Sequence, residues 1–186
     1  MFKRFYPCAY TKSVFSIDYE KLRAKGFSAV IFDLDNTLVH HGDDSTPEVD
    51  ELFRTIHKAG LKTILLTNND EERVLRFIKN IDTLYICDAD KPEPASYLKA
   101  LDMLGVSKDE AVCIGDQIFI DIIGANRCGI PSILVHYIQL PEEKRIGKKR
   151  YIEKLILWFY RRNKTYRSRL GDIYVKKEGK NVLEQG

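Results

Sequence analysis

Two carboxylates stand one residue apart at the end of an apolar run, in Ser28-Ala29-Val30-Ile31-Phe32-Asp33-Leu34-Asp35-Asn36-Thr37-Leu38-Val39. Ala29 to Phe32 are continuously apolar and include β-branched Val30 and Ile31, the pattern of a strand buried on both faces of a parallel sheet. Catalytic groups of open α/β sheets sit at the carboxyl ends of strands, which is where Asp33 and Asp35 fall. If the chain stays extended, both carboxylates share one face. Like charges that close repel each other unless a cation lies between them or one carboxyl keeps its proton. An acidic turn built on Asn36 accounts for the same residues without any chemistry. What separates the two readings is whether other polar groups gather at the same place. Candidates are Thr67 with Asn68, Lys91 within Asp88-Ala89-Asp90-Lys91-Pro92-Glu93-Pro94, and Asp116 with Asp121 after Gly115.

The elements around these residues bring them together. Helical spacing runs from Asp18 to Lys25 and stops at Gly26, and the first strand follows at 28–33. Thr46-Pro47-Glu48 reads as N-cap, first-turn proline and first-turn acid of a helix ending at Gly60. A strand over 61–66 ends at Thr67, a helix over about 70–80 leads to a strand at 83–87, and a helix spans 95–104. The fourth strand, 111–114, ends at Gly115-Asp116-Gln117; a helix over 119–127 and a strand over 131–135 follow. Strictly alternating strands and helices predict a Rossmann-like three-layer α/β/α sandwich around a mainly parallel, five-stranded sheet. All carboxyl ends of a parallel sheet lie on one edge. That edge collects three acids, a hydroxyl and a lysine, the composition of a divalent-cation site beside an anion site. Residues 1–145 read as one domain, with 1–27 an N-terminal docking segment irregular over 1–15, and 146–186 as a basic amphipathic tail. His40-His41 has no further ligand spacing and reads as a loop feature.

Asp33-Leu34-Asp35-Asn36-Thr37, Thr67, Lys91-Pro92 and Gly115-Asp116-Gln117-Ile118-Phe119-Ile120-Asp121 resemble, in this order, the four motifs of the haloacid dehalogenase-like hydrolases. Lys12-Ser13-Val14-Phe15, Thr67-Asn68-Asn69 and the run from Asp121 to Gly129 are similar to the class IIIA, YqeG-type phosphatases, relatives of the mitochondrial and plastid phosphatidylglycerophosphate phosphatases. The resemblance implies Asp33 as nucleophile, forming an aspartyl-phosphate, and Asp35 as general acid and then base. It implies Mg²⁺ held by the Asp33 carboxylate, the Asp35 backbone carbonyl and Asp116. Thr67 and Lys91 would bind the phosphoryl oxygens. Asn68 either joins them or simply starts the next turn. Asp121 falls in the outer shell, orienting Lys91 or a metal-bound water, or else serves as an N-cap.

Spacing and charge bear on the substrate. Asp33 to Thr67, and Thr67 to Lys91, each leave room for little more than one helix with its loops or strand, so no cap domain is expected. An open site suits a phosphate projecting from something large, a lipid headgroup first among the candidates; nucleotides, phosphoproteins and small metabolites remain as alternatives. The net charge of +3 is uneven. Residues 1–145 hold 18 Lys and Arg against 23 Asp and Glu, a balance of −5; residues 146–186 hold 12 against 4, a balance of +8. Within 148–162, Ile152, Leu155, Ile156 and Phe159 form a helical stripe flanked by Trp158, Tyr160 and cations. That stripe suits an anionic membrane surface, or it packs on the sheet. An RNA backbone, with the chain acting as a ribosome-associated assembly factor, is a third reading. No run is apolar for the ~18 residues a membrane span needs, the N-terminal stretch lacks a signal-like apolar core, and the four scattered cysteines read as free thiols. A cytoplasmic protein, peripheral on the inner membrane face if the stripe binds lipid, is the expectation.

Overall fold

The computed structural model of the chain describes residues 2–140, 142, 148–167 and 169–175. Its sheet consists of β1 (Ala9–Thr11), β2 (Ala29–Phe32), β3 (Lys62–Leu66), β4 (Leu84–Ile86), β5 (Ala111–Gly115) and β6 (Ser132–Val135). The order is β1-β6-β5-β2-β3-β4, and every pairing is parallel. The predicted strands are β2 to β6. The sixth, β1, lies in the stretch expected to be irregular: three residues beside Pro7 carry no period of their own. Its register comes from its partner instead, with Ala9 opposite Ile133, Thr11 opposite Val135, and the Cys8 N–H on the Ser132 carbonyl at 2.7 Å.

Central β2 faces two layers, as alternation along a strand requires. Val30 and Phe32 pack with Leu52, Phe53 and Ile56 of α2 (Pro47–Lys58) and with Val74 and Phe77 of α3 (Glu71–Phe77); α1 (Tyr19–Ala24) contributes Leu22. Ile31 joins Ile64 and Leu66 against Tyr97, Ala100 and Leu101 of α4 (Pro94–Leu104) and Ala125 of α5 (Ile123–Cys128). Helix starts follow their capping chemistry: Asp18, Thr46 and Asp70 accept the N–H groups of Lys21, Val49 and Arg73. Gly105 closes α4 in the left-handed region, at φ 64°, where a side chain is disfavoured.

The helix expected over 119–127 begins differently. Ile118–Ile122 form a π-helical turn before α5, with the Asp121 and Ile122 N–H groups both on the Gln117 carbonyl at 2.9 and 3.2 Å. The wide turn folds Asp121 back, so that its Oδ2 accepts the Gln117 N–H at 3.0 Å. Gly115 is needed here, because an added Cβ would lie 2.3 Å from the Asp121 carboxyl carbon.

Helix α6 (Lys148–Arg162), followed by α7 (Lys164–Arg167), splits the predicted stripe in two. Ile156 and Tyr160 are buried against Tyr6, Ile118, Ile122 and Leu134. Tyr151, Ile152, Leu155, Trp158 and Phe159 stand exposed. Residues 146, 147, 168 and 176–186 of the predicted tail lie outside the described residues. Among the described residues no helix is long and apolar enough to cross a membrane, and all four cysteines are free thiols.

Candidate active site

The carboxyl ends of β2, β3 and β5, with the loop after β4, supply one cluster. Lys91, almost wholly buried, donates from Nζ to Asp33 Oδ1 at 2.6 Å and to Asp121 Oδ1 at 2.8 Å. Thr37 donates from its hydroxyl to Asp33 Oδ2 at 2.8 Å, and the same oxygen lies 3.3 Å from Asp116 Oδ1. One oxygen from each of Asp33, Asp116 and Asp121 falls within 4.8 Å of the others. Beside them opens a cavity of about 180 Å³, lined by Asp33, Asp35, Asn36, His41, Thr67, Asn68, Asn69, Lys91, Gln117 and Ile120. Asp121 touches Lys91 through one oxygen, and its other oxygen accepts the Gln117 N–H at 3.0 Å.

Asp35 lines the same cavity as Asp33 but makes its own set of contacts. Asn36 takes a left-handed conformation, φ 62°, and turns the chain just after Asp35. The Asp35 carboxylate instead accepts from Arg73 Nη2 at 2.9 Å and Asn69 Nδ2 at 3.1 Å, and lies 2.6 Å from His41 Nδ1. Thr67 Oγ1 accepts from both the backbone and side-chain nitrogens of Asn69, at 3.2 and 2.9 Å, which leaves its own hydroxyl proton to be donated. The Asn68 amide is spent largely on the backbone of Lys91: Oδ1 accepts its N–H at 2.8 Å, and Nδ2 donates to its carbonyl at 3.2 Å. The amide thus holds Lys91 in place, a job that its position in the sequence did not suggest.

The scan against known families matches a model described as haloacid dehalogenase-like hydrolase to residues 40–129. The probable phosphatase YqeG of Bacillus subtilis is 33% identical over 159 residues, 84% of this chain and 92% of that protein. The chain belongs to the haloacid dehalogenase-like hydrolases. Within that family it is a phosphatase. A pyrophosphatase, PpaX of Halalkalibacterium halodurans, is 29% identical over 96 residues, 47% of this chain and 44% of that one. An uncharacterized protein from Listeria monocytogenes serotype 4b has the same fold, with a TM-score of 0.53 at 19% identity over 73% of this chain and 99% of its own.

The electrostatics of this hydrolase site are those of a charge deficit. Burial pushes the Asp121 carboxyl up to about 6, the Lys91 charge opposes this, and neighbouring Asp33 adds to it. The Asp116 carboxyl is raised well above the carboxylate range by burial and by the charges of Asp33 and Asp121, although Arg150 pulls the other way. Burial disfavours the Lys91 ammonium, but the charges of Asp121 and Asp33 overcome that and raise it. Lys91 therefore stays charged while two of its carboxylate neighbours hold protons more readily than usual. Hard oxygen donors short of positive charge fit a Mg²⁺ ion. Asp35 is the opposite case: burial raises it, yet Arg73 and the Asn69 hydrogen bond outweigh burial and hold it below the ordinary value.

Sequence reasoning missed four residues here. Thr37 lies inside the first motif, where neither spacing nor resemblance assigns it a task. Asn69 and Arg73 read as the turn and the third residue of a helix, and nothing local marks a helical arginine as the partner of a distant carboxylate. Arg150 lies in the tail that was set apart from the domain. Its guanidinium contacts Asp116 Oδ2 through Nη2, and Nη1 donates to the Asp116 carbonyl at 2.6 Å.

Proposed function

We propose that this phosphatase hydrolyses phosphate monoesters through an aspartyl-phosphate on Asp33, that it requires Mg²⁺, and that its physiological ester is carried on a lipid headgroup, phosphatidylglycerophosphate foremost. The observation that carries the chemistry is the grip on Asp33. Lys91 and Thr37 occupy one lone pair on each oxygen and aim the carboxylate beside an anion-sized cavity. Asp33 attacks phosphorus; the new O–P bond forms as the ester P–O bond breaks, and the departing alkoxide takes a proton from Asp35. In the second half Asp35 accepts a proton from water, which displaces Asp33 and releases inorganic phosphate. The Arg73 pair suits the base half of this cycle. For the acid half, the arriving phosphate dianion raises the proton affinity of Asp35. Thr67 Oγ1 and Lys91 Nζ donate to phosphoryl oxygens as charge develops there. Asp33 and Asp116 would supply side-chain oxygens for Mg²⁺ and Asp35 its backbone carbonyl, with Asp121, whose carboxylate lies within 4.8 Å of theirs, close enough to orient Lys91 or a metal-bound water. The bound ion would screen the repulsion between carboxylate and phosphate.

Two features support a lipid-borne ester. Between Asp33 and Thr67 stand α2 and β3 with their loops, and between Thr67 and Lys91 α3 and β4, so among the described residues no cap is inserted between these motifs. Helix α6 offers Tyr151, Ile152, Leu155, Trp158 and Phe159 to solvent beside Lys154, Arg161 and Arg162, apolar area and positive charge together. The test is a phosphatase panel with and without Mg²⁺, including phosphatidylglycerophosphate in mixed micelles, on wild type and Asp33→Asn. The reading predicts Mg²⁺-dependent release from the lipid and an inactive but folded Asp33→Asn. If Asp33→Asn keeps a tenth of the activity, the covalent route is wrong. If wild type ignores the micellar lipid while cleaving soluble esters, the substrate is wrong.

A further inference from the structure

Helix α6 reaches the acidic cluster at Asp116 without lining the cavity, and it does so with a fork. Arg150 contacts both the carboxylate and the carbonyl of one residue, Asp116. Its Nη1 also meets Glu153 Oε2 at 3.0 Å, and its guanidinium lies over the Tyr137 ring, 4.6 Å from the centroid. Glu153 is itself buried, and its other oxygen accepts the N–H groups of Ile118 at 2.7 Å and Phe119 at 3.5 Å. One turn of α6 therefore grips the chain from 116 to 119. Packing alone would be served by an apolar residue; a planar fork set against a single carboxylate fixes orientation.

Asp116 has two oxygens with different neighbours. Oδ1 lies toward Thr37 and hence toward Asp33, whereas Oδ2 is taken by Arg150. We propose that Arg150 is a positioning residue: it secures Oδ2 so that Oδ1 stays directed at the Asp33–Asp121 cluster, where the cation is to be held. The basic helix is then a working part of the active site as well as a surface. This inference rests on the Mg²⁺ site proposed above. Outer groups that orient metal-binding carboxylates typically change metal affinity about 10- to 100-fold when removed.

The experiment is Mg²⁺ binding by titration calorimetry on full-length wild type, Arg150→Met and Arg150→Lys, with circular dichroism to confirm folding. We expect Arg150→Met to bind Mg²⁺ at least about tenfold more weakly. Arg150→Lys, which keeps charge and stem but cannot span carboxylate and carbonyl together, should fall between. Low millimolar guanidinium should restore part of the affinity of Arg150→Met, which a general packing defect would not allow. Phosphatase kcat in that variant should recover at saturating Mg²⁺ and fail at limiting Mg²⁺. Equal affinity in wild type and Arg150→Met overturns the proposal; tighter binding in the variant does so too, by showing that the guanidinium competes with the cation. Should Arg150→Met not fold, an Arg150→Lys protein that binds like wild type overturns it. A wild type that binds no Mg²⁺ overturns this inference together with the metal site, whereas binding in wild type with no effect of Arg150 overturns this one alone.

Discussion

Replacing Lys91 by methionine keeps the length of the side chain and removes the charge that two buried carboxylates share. Lys91 Nζ lies 2.6 Å from Asp33 and 2.8 Å from Asp121, with side-chain exposures of 3%, 11% and 1% for the three residues. Deleting one partner of such a pair leaves an uncompensated buried charge and costs about 3–5 kcal/mol. Since the two contacts share one ammonium, they do not add, and we expect about 4 kcal/mol at neutral pH without metal. For a chain of this size that lowers the melting temperature by roughly 10 °C. The pH dependence has a definite sign. The folded-state proton affinity of Asp121 is already raised, to about 6, and losing Lys91 takes away a group that lowers it. Ionised Asp121 then destabilises the fold in full above its folded pKa, and the cost fades as pH falls through it. Urea titrations of Lys91→Met from pH of about 8 down to about 5 should show the deficit shrinking. The double variant Lys91→Met/Asp121→Asn should recover much of the stability, since it removes charge and counter-charge together. A deficit under about 1 kcal/mol at neutral pH, or one indifferent to Asp121→Asn, would refute the view that Lys91 balances these carboxylates.

Asp35→Asn should depress hydrolysis of alkyl and lipid phosphates far more than that of nitrophenyl phosphate, whose leaving group barely needs a proton; equal losses would exclude the acid role. Gly124→Ala would set a Cβ 2.3 Å from the Tyr97 hydroxyl oxygen and 2.4 Å from its ring. Urea unfolding should register that overpacking as about 1–3 kcal/mol. Leu155→Glu with Trp158→Glu, both on the exposed face of α6, should raise KM for vesicle-borne ester roughly tenfold, the effect of losing about 1.4 kcal/mol of apolar contact. Turnover of a soluble ester should stay unchanged, and a matching loss there would point to a structural role for that face.

The sequence was most legible where one segment contains both signal and response. The β2 run, the Thr46 cap and the glycine stops at Gly26, Gly60 and Gly105 are local, and the strand and helices they predict are present within a residue or two; the helix expected over about 70–80 ends at Phe77, and a 3-10 turn completes the span. The residues placed at the strand ends also meet, because a parallel sheet aligns its carboxyl ends whatever the loops do. What could not be read depends on partners far along the chain. Strand β1 is ordered by β6. The π turn at Ile118–Ile122 follows from Asp121 folding back on Gln117, a choice that helical periodicity does not encode. Arg73 is a first-turn helical arginine by pattern and the main counter-charge of Asp35 by geometry. The tail stripe was one feature in the sequence; Glu153, accepting backbone N–H groups of the turn it covers, divides that stripe between packing and exposure.

The strand order also sets when the site can exist during folding. β2 lies inside the sheet, yet its pairing with β5 joins Ala29 to Ala111, about 80 residues apart, a slow closure compared with the nearer β2–α2–β3 crossover. Until β5 docks, Asp33 and Lys91 lack Asp116 and Asp121, and each charge keeps its own water. The unfavourable gathering of three acids is thus deferred to the step that docks β5 and joins the two halves of the sheet. Arg150 comes later still, since it lies beyond β6. A growing chain on the ribosome is therefore without an assembled phosphatase centre until β5 and the turn bearing Asp121 have emerged, and its partly folded forms display separate, hydrated charges rather than a premature reactive carboxylate.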